Sequence, residues 1–203
     1  MTSVLPTALA PHSFAIDVER GGDAFAREKL LDAAMGPGRF RKSSQKLRNG
    51  RAPALADLPA LPYTRMVLDE SLRLYPPAWA IGRQAVGPDT VLGHALPAGA
   101  NVALSPYVTH RLPQHWPDPE RFDPERFRPE AVAARHRFAY FPFGGGPRLC
   151  IGNNFALLEA QLALATIAGR YRLDLVPGHP VESQPLITLR ARHGLVMRVA
   201  RRE

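Results

Sequence analysis

The chain has 203 residues, 45% hydrophobic and 22% charged, the balance of a globular protein with material for one or two domains. Its single cysteine excludes an internal disulfide framework and any multi-cysteine zinc or iron–sulfur site, and its 21 prolines argue against a simple helical bundle. The formal net charge of +8 calls for an acidic partner, yet the arginines are scattered and accompany no nucleic-acid motif, so no nucleic-acid binding is expected.

Residues 1–54 read as a disordered leader of unclear origin. Met1–Phe14 is a Pro/Ala/Ser segment broken by Pro6 and Pro11, without the basic start of a signal peptide. Asp23–Met35 has the pattern of a short helix ended by Gly36-Pro37-Gly38, and Arg39–Arg51 is basic with almost nothing to bury. No apolar run is long enough to span a bilayer, Leu162–Gly169 being among the longest, and a cytoplasmic setting is expected.

From residue 55 to 203 the pattern sharpens into mainly α structure with small β-sheet regions. Tyr63–Tyr75 carries apolar residues at helical spacing, and Pro76-Pro77 stops it. Thr90–Leu96 and Asn101–Leu104 are expected to pair as a hairpin around Pro97-Ala98-Gly99. Leu112–Pro129, with Pro113, Pro117, Pro119, Pro124 and Pro129, must meander over the surface. Asn153–Tyr171 is apolar around much of its circumference and is expected to be a core helix. Leu186–Leu189 and Leu195–Val199, around His193-Gly194, read as a closing hairpin.

The densest chemistry is the run from Phe143 through Gly144-Gly145-Gly146-Pro147-Arg148-Leu149-Cys150-Ile151 to Gly152, immediately before the long helix. Consecutive glycines let backbone approach a flat ligand. A cysteine at a helix N-terminus is favoured as a thiolate, hence as a nucleophile or a metal ligand, and Arg148 offers a cation for a carboxylate. An inert thiol is the bland reading; the coincidence of glycine run, arginine and helix boundary weighs against it. A nucleophile would need a histidine base, for which His110, His115 and His136 are available.

That segment resembles the heme-binding loop of the cytochrome P450 family, Phe-x-x-Gly-x-Arg-x-Cys-x-Gly, at all five defined positions: Phe143, Gly146, Arg148, Cys150 and Gly152. Glu70-Ser71-Leu72-Arg73 resembles the family's Glu-x-x-Arg, and Pro124-Glu125-Arg126-Phe127 its Pro-Glu-Arg-Phe element. Leu74-Tyr75-Pro76-Pro77, His110-Arg111 and Trp116-Pro117-Asp118-Pro119 resemble its connecting sequence, and the likeness runs from about Leu55 to Arg202.

The resemblance implies heme b with Cys150 as axial ligand to the iron, the thiolate pushing electron density that favours O–O cleavage. It implies heme contacts at Phe143, Gly146 and Gly152, propionate pairing by Arg148 and Arg83 and by His110, and a structural triad of Glu70, Arg73 and Arg126. The implied reaction is insertion of one oxygen atom from dioxygen into a small organic substrate, with electrons from a ferredoxin or a flavodoxin/reductase. Arg135, Arg137 and Arg148 are expected near the face that meets this donor. The family's long distal helix, with its Ala/Gly-Gly-x-Asp/Glu-Thr acid–alcohol pair, has no match in the chain. The expectation is therefore a partial P450 fold lacking the distal helix, inactive by itself. A non-catalytic heme-binding module or truncated gene product is the alternative.

Overall fold

A computed structural model describes residues 51–202. The expected leader, with its helix over Asp23–Met35, lies outside the described residues except for 51–54. Four α-helices follow: α1 (Pro62–Leu74), α2 (Pro106–Thr109), α3 (Pro129–Ala134) and α4 (Asn153–Arg170). Eight short strands accompany them: β1 (Ile81–Gln84), β2 (Asp89–Val91), β3 (His94–Leu96), β4 (Asn101–Leu104), β5 (Tyr171–Leu175), β6 (Ser183–Pro185), β7 (Leu189–Ala191) and β8 (Met197–Arg201).

Pro62 opens α1 at the first helical position, where its missing N–H would have had no partner anyway. Thr64, Val67, Glu70, Arg73 and Leu74 then fall on the buried face. The helix ends at Tyr75, ahead of the two prolines, as its pattern requires. Two apolar clusters meet on it. Val67 packs with Ala168 of α4, alongside Tyr63, Phe122 and Leu164. Met66 joins Trp116, Phe127, Ala139 and Tyr140. The proline-rich meander is therefore more than a surface segment: it buries Trp116 to 1% exposure and supplies Phe127 as a short 3-10 turn over Pro124–Phe127.

Helix α4 departs from the expected core helix. Only Gln161, Ala165 and Ala168 are buried, and Phe155 is 70% exposed. Small alanines let α4 approach α1 closely, and the Gln161 Nε2 donates to the Leu61 carbonyl at 3.1 Å, where α1 begins. Phe155 and Ile167 stand exposed, while Leu157, Leu158, Leu162 and Leu164 are half-buried.

Both expected hairpins are corrected. Asn101–Leu104 pairs with β1, not with Thr90–Leu96, placing Arg83 opposite Val102. Thr90–Leu96 folds on itself as β2 and β3 around Leu92 and Gly93, whose φ values of 50° and 81° make a two-residue turn suited to strand twist. Pro97-Ala98-Gly99 instead turns the chain into β4, the Ala100 N–H donating to the Pro97 carbonyl at 3.1 Å. At the other end β8 pairs with β5, and β6 with β7. The four sheets among the described residues are all two-stranded and antiparallel.

Leu92 holds a left-handed conformation with its side chain 95% exposed, so it carries backbone strain without packing in return. Leu92→Asn is expected to raise stability by ~1 kcal/mol, read as a higher midpoint in thermal unfolding. An unchanged or lower midpoint would show that the turn is not strained.

Candidate functional site

Glu70 and Arg73 lie one helical turn apart on α1, both wholly buried. Arg73 Nε donates to Glu70 Oε2 at 2.6 Å and Nη2 to Oε1 at 2.8 Å. The other donors go to backbone: Nη1 to the His110 and Pro119 carbonyls at 2.9 and 2.6 Å, and Nη2 to that of Arg121 at 3.2 Å. Every N–H of the guanidinium is thereby matched. Glu70 Oε1 also accepts the Asp123 N–H at 2.7 Å. Arg126 is the loosest of the three triad candidates. Its Nε sits 3.6 Å from Glu70 Oε1 without forming a hydrogen bond, while Nη2 donates to the Asp118 carbonyl at 2.9 Å.

Around Arg73 the meander closes as an aromatic cluster. Trp116 donates from Nε1 to the Ala139 carbonyl at 3.2 Å. The guanidiniums of Arg73 and Arg135 both lie over its ring, at 5.1 and 4.0 Å from the centroid. Arg135 also donates to the Arg126 carbonyl. Arg135 is half-buried by these contacts. Tyr140 donates to Asp69 Oδ1 at 3.1 Å, and burial pushes both the phenol and the carboxyl up, so the phenol keeps its proton.

His110 is likewise not where propionate pairing would need it. Its ring has no solvent exposure; Nδ1 stands 3.2 Å from the Arg73 carbonyl, and Nε2 lies 2.9 Å from the Phe141 N–H. A backbone N–H can only donate, so Nε2 is the acceptor and the proton sits on Nδ1. Burial holds the imidazole down to about 4, hence neutral at pH 7. Both ring nitrogens are committed to backbone, and no atom is left for a carboxylate ligand.

The glycine-rich run forms a closed loop. The Gly144 N–H donates to Phe141 and the Cys150 N–H to Phe143, each carbonyl at 3.0 Å, while a 3-10 turn spans Gly146–Arg148. Gly146 has φ +67°, which an L side chain rarely adopts. At Gly145 the constraint is a close approach, since a Cβ would come within 2.9 Å of the Phe138 ring. That glycine accommodates the protein's own aromatic ring. Cys150 is exposed and stands just ahead of Gly152, the N-cap of α4, whose own Cβ position lies 3.9 Å from Sγ.

Cys150 lines a cavity of about 650 Å³ together with Ile81, Arg83, Phe143, Gly144 and Arg148. The structure thus brings Cys150, Phe143, Arg148 and Arg83 to one concave surface and leaves Gly146, Gly152, His110, Glu70, Arg73 and Arg126 outside its lining. Ile81, Gln84, Pro77 and Ala78 were not anticipated from sequence; the β1–β4 pairing that carries Ile81 and Gln84 is the element the local turn signal concealed. Among the described residues no group of three or more His, Cys, Asp or Glu converges as a metal site. Cys150 can therefore serve as a metal ligand there only toward a metal that brings its other donors with it. Two cations beside an apolar, aromatic wall and one sulfur fit a flat, dianionic metalloporphyrin.

The ion pair sets a ranking of costs. Glu70→Ala leaves a buried guanidinium without its counter-ion and is expected to destabilise by about 3–5 kcal/mol. Arg126→Ala, removing a looser contact, should cost ~1–2 kcal/mol. Urea unfolding of the two variants measures both, and equal losses would contradict this account of the network.

The family model for cytochrome P450 matches residues 40–197. Cyclooctatin synthase of Streptomyces melanosporofaciens is 47% identical over 142 residues, covering 70% of this chain and 31% of that protein. Thromboxane-A synthase of Sus scrofa is 41% identical over 144 residues, covering 70% and 27% respectively. Among solved structures, the retinoic acid-bound cyanobacterial CYP120A1 aligns with a TM-score of 0.79 and 32% identity, over 88% of this chain and 42% of that one. The chain spans about a third of the length of the curated relatives it matches. Its helices and small antiparallel sheets are a part of the P450 fold, and no helix among the described residues is long and apolar enough to cross a membrane. On sequence and fold, the chain belongs to the cytochrome P450 family, whose members bind heme.

Proposed function

We propose that the chain binds heme b through Cys150 and forms the proximal side of a monooxygenase centre, with residues 55–203 as the heme-binding part. The observation that carries this reading is the convergence of Cys150, Arg148 and Arg83 on one cavity beside Phe143. Cys150 would supply the axial thiolate, and Phe143 would shield it. Arg148 and Arg83 would each pair with a propionate, and Gly146 and Gly152 would keep backbone close to the ring. The Glu70–Arg73 pair with Arg126 would hold the floor of the site through the meander. When bound, the heme supplies dioxygen activation, so that one oxygen atom enters a C–H bond of a small organic substrate and the other leaves as water, using two electrons and two protons.

The electrons would come from an acidic ferredoxin or a flavodoxin/reductase. Arg137, exposed beside Phe138, supports such docking; Arg135, half-buried against Trp116, offers less of its charge to a partner. Proton delivery needs an acid–alcohol pair on the opposite side of the porphyrin, and this chain carries no such motif. The chain alone is accordingly expected to hold heme without coupled turnover.

The test is to load the purified chain with heme, reduce it under carbon monoxide and record the Soret band. The expected result is the band characteristic of thiolate ligation, lost in Cys150→Ser. A band unchanged in that variant overturns the assignment of the ligand, and coupled turnover by the chain alone overturns the stated need for a distal pair.

The two arginines give a separate measurement. Charge-assisted hydrogen bonds contribute about 1.5–3 kcal/mol each, so Arg148→Ala and Arg83→Ala should each weaken heme affinity by ~10- to 100-fold. Titration with hemin reads the loss, and unaltered affinity in either variant removes that residue from the site.

A further inference from the structure

His110 is tied to Arg73 by a reciprocal exchange across 37 residues. The Arg73 guanidinium donates to the His110 carbonyl at 2.9 Å, and the His110 ring donates back from Nδ1 to the Arg73 carbonyl at 3.2 Å. The other side of the ring accepts the Phe141 N–H at 2.9 Å. Phe141 is the residue whose carbonyl receives the Gly144 N–H and so begins the loop that Phe143 and Cys150 close. The imidazole thus joins the buried ion pair to the start of the cysteine loop. It is packed against Phe141, Tyr140 and Trp116, at centroid distances of 5.4, 5.2 and 6.4 Å.

We propose that His110 is a positioning residue for Cys150: its neutral ring, held by Arg73, fixes the Phe141 backbone and through it the height of the sulfur at the cavity. The toxic alternative for the fold is a buried Phe141 N–H with no acceptor, which loosens the Phe141–Gly144 turn while α1 and α4 stay packed. Imidazole suits the position because it presents a donor and an acceptor on opposite edges of one rigid plane. The inference rests on reading Cys150 as the axial ligand, but the hold on the loop can be measured with or without heme.

The experiment compares His110→Gln with His110→Asn in the full chain, as isolated and after heme loading. Glutamine can place its amide oxygen where Nε2 stood; asparagine can replace Nδ1 toward Arg73 but falls short of Phe141. If the asparagine variant does not fold, His110→Phe takes its place, keeping ring volume without an acceptor. In the variant without the acceptor, amide hydrogen exchange at Phe141, Gly144 and Cys150 should quicken about tenfold, with Ala165 and Ala168 of α4 unchanged. The thiolate Soret band of its reduced carbon monoxide complex should weaken. The glutamine variant should restore both signals. Exchange that quickens evenly along α1, α4 and the loop, or a glutamine variant no better than asparagine, would overturn the proposal and leave His110 an ordinary core residue. Should the unmodified chain give no thiolate band, the reading of Cys150 fails, whereas the exchange data still decide whether His110 holds the loop.

Discussion

Glu70 and Arg73 take a carboxylate and a guanidinium wholly out of water. The transfer costs several kcal/mol per ion and is tolerable only where partners replace the lost hydration. Here they do so completely on the cationic side: two hydrogen bonds return to the carboxylate and three go to the carbonyls of His110, Pro119 and Arg121. Those carbonyls belong to the end of α2 and to the meander, neither of which has a sheet to satisfy its backbone. Satisfying the arginine and fixing the meander are one event. A pair of this kind adds little net stability over a well-packed apolar substitute, but it permits few arrangements of the chain around it.

From that point order passes outward through side chains rather than through regular structure. Trp116 lies under the Arg73 and Arg135 guanidiniums and holds the Ala139 carbonyl. Tyr140 reaches back to Asp69 of α1. His110 holds Phe141. Three consecutive residues, 139 to 141, are each anchored by a different aromatic or imidazole group, and the cysteine loop follows directly. The loop's own glycines then permit its bends, Gly146 by conformation and Gly145 by making room for Phe138. The segment that leads into the cysteine loop is thus held by side chains rather than by a sheet.

How much of this was legible depended on the range of the interaction. The Glu70–Arg73 contact follows from a three-residue separation on a helix, and the cysteine loop from an uninterrupted motif, so both could be read directly. Phe143, Arg148 and Cys150 duly line one cavity, and Arg83 joins them through a strand. The misplaced elements are those fixed by distant chain. His110 is expected from the family resemblance to meet a propionate, and nothing local indicates that its ring turns inward to a carbonyl 37 residues earlier. The hairpin at Leu92-Gly93 was hidden because leucine is a poor signal for a left-handed turn, so the visible Pro97-Ala98-Gly99 bend was given the pairing instead. Helix α4 shows the same limit. An apolar circumference states what a helix could bury, while the neighbours decide what it does bury.

The net charge of +8 acquires a different meaning once the arginines are sorted by place. Arg73 is consumed internally by a carboxylate and carbonyls, and Arg135 is half-buried against aromatic faces. Arg83 and Arg148 instead stand exposed at the cavity wall. The two groups obey different energetics. A buried cation must find its partner as the chain folds, or the fold loses several kcal/mol. A cation at an open wall stays hydrated until an anion reaches it, so it imposes almost no cost on folding and keeps its attraction for a ligand. Among these four arginines, basic charge is therefore in part an internal fastening and in part a feature of the cavity wall.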